Sequence, residues 1–239
     1  ILAARPSMGK SSFAINIAQA AAIDYGKKIG FFSLEMGRES IVDRMISAQG
    51  DIDNWRISTG NLAPEDFEKY GIAAGELAEA QIFIDDTPGV SVLEMRTKAR
   101  RLQMEHGLDL VIVDYLQLIH GKNLESRVQE VTYISQSLKN LARELKVPVL
   151  ALSQLSRAVE QRGGLKKPQL ADLRDSGSIE QDADVVMFLY RPDDDDRENM
   201  MLEIAKHRNG PTGEIPLFFK ANRTRFYESA RSSEGDVTE

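Results

Sequence analysis

Eight residues near the start of the chain, Ala4-Arg5-Pro6-Ser7-Met8-Gly9-Lys10-Ser11, have the types and spacing of a phosphate-binding loop. They lie between the apolar Ile1-Leu2-Ala3 and a helical stretch over residues 12–23, the strand, loop and helix order that this chemistry requires. Successive backbone N–H groups and a helix N-terminus converge on the phosphates, Lys10 reaches the β and γ oxygens, and the Ser11 hydroxyl ligates Mg²⁺. Gly9 lets the backbone approach closely. The usual pattern is G-x-x-x-x-G-K-[ST], and Ala4 stands where its first glycine would be. A nucleoside triphosphatase is the first reading. Its competitor is a small-residue turn capping an ordinary helix, with Lys10 solvated.

Apolar runs at residues 29–34, 82–84, 110–113, 147–152 and 185–190 predict buried strands, and the spacing over 38–48, 64–80, 92–106 and 127–145 predicts helices between them. That alternation is βαβ-like and implies a parallel sheet. From residue 185 the pattern changes: apolar segments at 201–208 and 215–219 are separated by turn chemistry, which predicts antiparallel strands added at one edge. In a parallel sheet, ligand chemistry collects at the carboxyl ends of the strands. Glu35, Asp114 and Gln154 each follow such a strand. A hydrolase needs a carboxylate on the metal side, a carboxylate that orients or deprotonates water, and a neutral polar group that senses the γ-phosphate. Asp114, Glu35 and Gln154 are the candidates in that order. Each alone would serve equally well as a strand-end cap.

At 239 residues, with no linker-like stretch, the chain is expected to form a single domain over 1–228, followed by a disordered tail over 229–239 that lacks apolar periodicity. Because it starts inside what reads as the first strand, it is expected to be a piece of a longer protein. There is no cysteine, and no apolar run reaches membrane-span length or follows a charged leader, so the expectation is a cytoplasmic protein with no membrane partner. The formal charge of −7 argues against a surface that wraps duplex DNA, while leaving room for a local basic lining around one strand. The acidic run 193–196 reads as a solvated loop, and His106, His120 and His207 lack metal-ligand spacing.

Six blocks in order resemble one family, the DnaB-type replicative DNA helicases, hexameric rings with a RecA-like motor domain. They are Ala3-Ala4-Arg5-Pro6-Ser7-Met8-Gly9-Lys10-Ser11, Phe32-Ser33-Leu34-Glu35-Met36, Val113-Asp114-Tyr115-Leu116-Gln117-Leu118, Ser153-Gln154-Leu155-Ser156-Arg157, the run from Asp172 through Asp184, and Lys206-His207-Arg208-Asn209-Gly210-Pro211. The resemblance implies an α/β RecA-like P-loop NTPase fold, with a mostly parallel twisted sheet flanked by helices and antiparallel strands near the C-terminal end. It implies ATP and Mg²⁺ as cofactors, with single-stranded DNA, further copies of the chain in a homo-hexamer, primase and a helicase loader as partners, and a cytoplasmic location at the nucleoid.

By the same resemblance, Ser7, Gly9, Lys10, Ser11, Ser12, Arg44, Lys206, His207 and Arg208 form the nucleotide-contact set, and Ser11 and Asp114 the metal side. Glu35 activates water and Gln154 couples the γ-phosphate to DNA-facing loops. Lys206 and Arg208 reach the neighbouring subunit's ATP as γ-phosphate sensor and arginine finger. Spacing supports that pair, since residues two apart on an extended segment point the same way while His207 points opposite. Residues 172–177 would be a channel loop on single-stranded DNA, through Arg174 and the main chain at Asp175 and Gly177. Lys122 and Arg127, in the turn 120–127, are the other DNA candidates. Asp175 and Ser156 depart from the family's commoner glutamate and asparagine. Two alternatives stay open: another RecA-like ATPase of recombination or circadian type, and a non-catalytic nucleotide-binding scaffold.

Overall fold

Each apolar run is long enough to cross a buried sheet and too short for a helix, and the strands form accordingly. The computed structural model describes residues 1–120, 126–156, 167–173, 177–193 and 195–229. Strands β1 (Leu2–Ala4), β2 (Ile29–Ser33), β3 (Ile82–Asp85), β4 (Leu110–Asp114), β5 (Val149–Gln154) and β6 (Val185–Tyr190) pair in parallel in the order β3-β2-β4-β5-β1-β6. The sheet continues antiparallel through β7 (Asn199–His207), β8 (Gly213–Lys220) and β9 (Arg225–Glu228). This is the α/β architecture expected from the sequence, with a ninth strand at the edge that the apolar pattern did not predict.

The helices are α1 (Lys10–Gln19), which runs into a π-helical turn at Ala20–Asp24, then α2 (Arg38–Gly50), α3 (Asn54–Thr59), α4 (Pro64–Glu79), α5 (Val92–Glu105), α6 (Arg127–Leu145) and α7 (Gly177–Asp182). Helix α5 starts on a reciprocal cap: the Ser91 hydroxyl accepts from the Glu94 N–H at 3.2 Å, and the Glu94 carboxylate accepts from the Ser91 N–H at 2.8 Å. Helix α6 starts at Ser126 and buries Val131, Ile134, Leu138, Leu141 and Leu145 at helical spacing. Lys146 ends it in the left-handed region (φ 55°), and Val147 still donates to Ala142. Strand β5 therefore begins at Val149, two residues later than the apolar run suggests, because that stretch begins with the helix cap.

Alternation along β4 divides the core in two. Val111 and Val113 pack with Met95, Ile134 and Leu138 of α5 and α6, while Ile112 faces Ile15, Ile41 and Met45 of α1 and α2. All five strand positions are apolar or buried, as a central parallel strand covered on both faces demands. Of the expected tail, only Ser229 is described; residues 230–239 lie outside the described residues.

Ile112→Ala is expected to destabilise the protein by about 2–5 kcal/mol through lost burial and the cavity left behind, and so to lower its urea midpoint. Arg101→Ala, which removes only an exposed helix pair with Glu105, is expected to leave that midpoint in place. Equal midpoints for the two variants would contradict the central position of β4.

Candidate active site

β1 delivers the chain to the loop at Ala4, and Lys10 opens α1. Ser7 (φ 64°) and Gly9 (φ 80°) are both left-handed, which curls the loop and turns backbone N–H groups inward. The first helical bond runs from Phe13 N–H to Gly9 C=O at 2.8 Å. No side chain caps this N-terminus, and its first turn holds no acidic residue. The partial positive charge and the first N–H groups of the helix are thus left without a side-chain acceptor and suit an anion. Gly9 cannot be exchanged freely. A Cβ there would lie 2.9 Å from Phe226 and 3.1 Å from Phe219, two rings from β9 and β8 that stack at 4.1 Å beneath the loop.

Lys10 Nζ donates to Asp114 Oδ1 at 2.8 Å and lies 4.7 Å from the centre of the Tyr115 ring. The pair is enclosed, with 12% of the lysine and 2% of the aspartate side chain exposed. Glu35 reaches the same corner from β2. Ser33 sits opposite Asp114 in the sheet, Leu34 N–H donates to the Asp114 carbonyl at 2.7 Å, and the Ser33 hydroxyl donates to Met36 C=O at 2.6 Å, so the turn carrying Glu35 is tied at both sides. Burial, then the Glu35 and Asp114 carboxylates, push the Tyr115 phenol above its usual value, which places both charges beside one ring. Glu35 itself is exposed, open to water.

Gln154 ends β5 directly beside Ala4, and Leu155 N–H donates to the Ala4 carbonyl at 3.1 Å. Its main chain is gripped by Gln117, to which the sequence assigned no role. The Gln117 amide accepts from Gln154 N–H at 3.3 Å and donates to Gln154 C=O at 3.2 Å and to the Ser153 hydroxyl at 3.0 Å. The available signal was a glutamine between two buried apolar residues, Leu116 and Ile119. Arg127, expected to face DNA, instead donates to the Gln117 carbonyl at 2.6 Å and pairs with Glu130. Arg44 extends from α2 to the Ser12 hydroxyl at 3.4 Å, and its buried Nε–H has no partner among the described residues.

The expected trans-acting residues lie elsewhere. Strand β7 runs antiparallel to β6, so Lys206 sits opposite Val186 and His207 opposite Val185, whereas Ala4 of the loop strand sits opposite Leu189. The loop and the cation pair therefore leave the sheet at opposite ends of β6. Lys206 donates to the Glu180 carbonyl, and Arg208 to the Gln181 carbonyl at 3.1 Å, both on one side, while His207 turns to the Pro211 carbonyl at 3.2 Å. Arg174, Asp175 and Lys122 lie outside the described residues; Gly177 opens α7.

The residues present suit a nucleotide and its metal ion: an uncapped helix start with inward N–H groups, an unpartnered arginine N–H, an ammonium, a hydroxyl at Ser11 and a buried carboxylate at Asp114. Among the described residues, no cluster of three histidine, cysteine or carboxylate side chains forms a metal site. Gly9→Ala is expected to lower stability by about 1–2 kcal/mol, the cost of a left-handed Cβ, and to weaken nucleotide binding about tenfold, an equivalent of ~1.4 kcal/mol. A nucleotide titration alongside thermal unfolding checks both; unchanged affinity would separate the loop from nucleotide.

Comparison with known proteins places this geometry in a family. The family model described as "DnaB-like helicase C terminal domain" matches residues 1–228. The chain is 51% identical over 238 residues to "Replicative DNA helicase DnaC" of Bacillus subtilis (strain 168), covering 97% of this chain and 52% of that protein. It is likewise 51% identical over 238 residues to "Replicative DNA helicase DnaB" of Geobacillus stearothermophilus, again over 97% of this chain and 52% of that protein. It thus spans about half the length of such relatives. A solved structure described as "The Structure Of A DnaB-Like Replicative Helicase And Its Interactions With Primase" superimposes with a TM-score of 0.89 at 41% identity, over 94% of this chain and 56% of that one. With its loop, strand-end carboxylates and antiparallel edge in the arrangement described above, the chain belongs to the DnaB-like helicase C-terminal domain family.

Proposed function

We propose that this chain is the ATP-hydrolysing motor of a replicative DNA helicase, which works as a hexameric ring, translocates on single-stranded DNA and unwinds duplex at the replication fork. The observation that carries this reading is the meeting of Lys10, Asp114 and the Glu35 turn at an uncapped helix start. A non-catalytic scaffold would be expected to have lost one of those three groups, and all are present. Primase as a partner is carried over from the solved DnaB-like relative described with its primase interactions; the loader and the location at the nucleoid rest on family resemblance. No helix among the described residues is long and apolar enough to cross a membrane.

In the proposed reaction, Ser7, Gly9, Ser11, Ser12 and Arg44 hold the phosphates, and Lys10 turns from Asp114 to the β and γ oxygens. Ser11 and Asp114 would hold Mg²⁺, which when bound would neutralise phosphate charge. Glu35 holds and accepts the proton of the attacking water. Gln154, fixed at its main chain by Gln117, senses the γ-phosphate and passes its loss to the loop at 172–177, where Arg174 and the main chain at Asp175 and Gly177 hold DNA phosphates, with Lys122 as a further contact. Arg127 acts one step back, through Gln117. The opposite placement of the loop and the pair Lys206 and Arg208 about β6 supports a site completed by the next subunit. His207 then serves the turn at Pro211 instead of the nucleotide.

In the full-length protein, Glu35→Gln is expected to bind ATP normally and to lose turnover by roughly 10² to 10⁴, whereas Lys10→Ala loses nucleotide binding. Wild-type hydrolysis is expected to rise when single-stranded DNA is added. Binding by Lys10→Ala equal to wild type would remove the loop assignment, and hydrolysis indifferent to DNA would remove the helicase reading.

Arg208→Ala is expected to keep nucleotide affinity and stop hydrolysis, because its guanidinium stabilises charge growing in the neighbour's transition state. Mixed rings of Arg208→Ala and Glu35→Gln subunits, verified by mass, are expected to regain activity above either parent, since some interfaces then join an intact Glu35 to an intact Arg208. Mixed rings no more active than their parents would end the trans-finger role.

A further inference from the structure

Arg208 does not extend freely into solvent. Its Nη1 pairs with Asp184 Oδ1 at 2.6 Å, its Nη2 donates to the Gln181 carbonyl at the end of α7, and its main-chain N–H donates to the Asp184 carbonyl at 2.7 Å. The second oxygen of Asp184 is taken by Lys139 of α6. Lys139 follows Leu138, one of the buried residues that seat α6 on the sheet, so the carboxylate is anchored to the core through a lysine. The hydrogen bond from Lys139 holds the Asp184 carboxyl below the usual range, and it stays charged at neutral pH.

The donor count shows what this arrangement leaves available. A guanidinium has five N–H donors in a planar fork. Among the described residues two are occupied, one by Asp184 and one by Gln181. The side chain remains 44% exposed and Asp184 52% exposed. An ion pair so open to water is too weak to lock a side chain away, but its two contacts orient the planar fork while its other donors have no partner among the described residues. Lys206 is held alongside on the preceding carbonyl of α7, Glu180, so the two cations are presented as a pair.

We infer that Asp184 is a positioning residue for hydrolysis: braced by Lys139, it pre-aligns the Arg208 guanidinium for the nucleotide of the neighbouring subunit. The inference rests on the trans-acting role of Arg208 proposed above. A positioning residue of this kind acts across the interface, on the neighbour's site and not on its own. That distinguishes it from a residue that merely supports its own fold.

The test is made in rings of the full-length protein. Asp184→Asn keeps the volume and removes the charge. Its kcat is expected to fall on the order of 10- to 100-fold, the scale of a misplaced catalytic group, with KM for ATP, nucleotide affinity and thermal midpoint near wild type. Mixed rings of Asp184→Asn and Glu35→Gln subunits are then expected to exceed both parents. Wild-type kcat in Asp184→Asn would overturn the inference, and so would a low kcat that mixing does not raise, because the defect would then lie within the subunit. The parallel mixture with Arg208→Ala separates the two levels: if it regains activity while the Asp184→Asn mixture does not, the finger stands and the positioning role falls; if neither regains activity, both fall. Should Asp184→Asn fail to assemble, Lys139→Gln releases the same carboxylate without altering it, and the same pair of measurements decides.

Discussion

Asp114 ends the interior strand β4 with 2% of its side chain exposed, and a buried carboxylate is tolerated only beside a compensating charge. Lys10 provides it. This one requirement organises much of the surrounding structure, because the loop after β1 must curl far enough to bring the first residue of α1 over the end of a strand two places away in the sheet. Two left-handed residues, one of them a glycine with aromatic rings behind it, accomplish that curl. Removing one partner of such a buried pair typically costs about 3–5 kcal/mol, since the other is left uncompensated. The same pair is suited to exchange. An ammonium already held at the rim can transfer to an incoming phosphate, provided that another cation takes its place beside the carboxylate.

The sheet separates two tasks along its length. Its parallel half presents strand ends, and these carry Glu35, Asp114 and Gln154 to one corner. Its antiparallel half supports that corner and also faces away from it. Phe219 of β8 and Phe226 of β9 form the floor under Gly9, while the far end of β7 carries Lys206 to the last turn of α7. A strand of nine residues spans roughly 27 Å, so the end of β7 that carries Lys206 lies far from the loop beside the other end of β6. Under the proposed reading a second copy would bring its own Lys206 and Arg208 to this loop, the head-to-tail contact that a ring repeats.

Small polar linkages set the precision of the site. Gln117 holds both main-chain groups of Gln154, and Arg127 holds the carbonyl of Gln117 in turn, so the start of α6 is tied to the strand end beside the loop. Asp184 holds Arg208 in a comparable way at the other edge. In both places the residue expected to touch a ligand is backed by a neighbouring polar side chain, which holds the main chain of Gln154 in one case and the guanidinium of Arg208 in the other.

The strands, the major helices, the loop and the three strand-end residues were legible from the sequence, because periodicity and motif spacing are local and each signal lies within a few residues of chain. The family was legible for the same reason, as six local blocks in order. The short elements α3, α7 and β9 were not: none of them carries the continuous apolar run that marks the equally short buried strands, and packing rather than propensity stabilises them. Partnership was also hidden. That Lys10 rests on Asp114, that Arg127 turns to Gln117 rather than outward, and that Asp184 braces Arg208 are contacts between residues from 10 to 104 positions apart. The chain by itself determined which chemical groups are available and at which strand ends they emerge. Only the tertiary structure decided which of them meet, because a charged side chain has several partners within reach and the packing of helices on the sheet selects one.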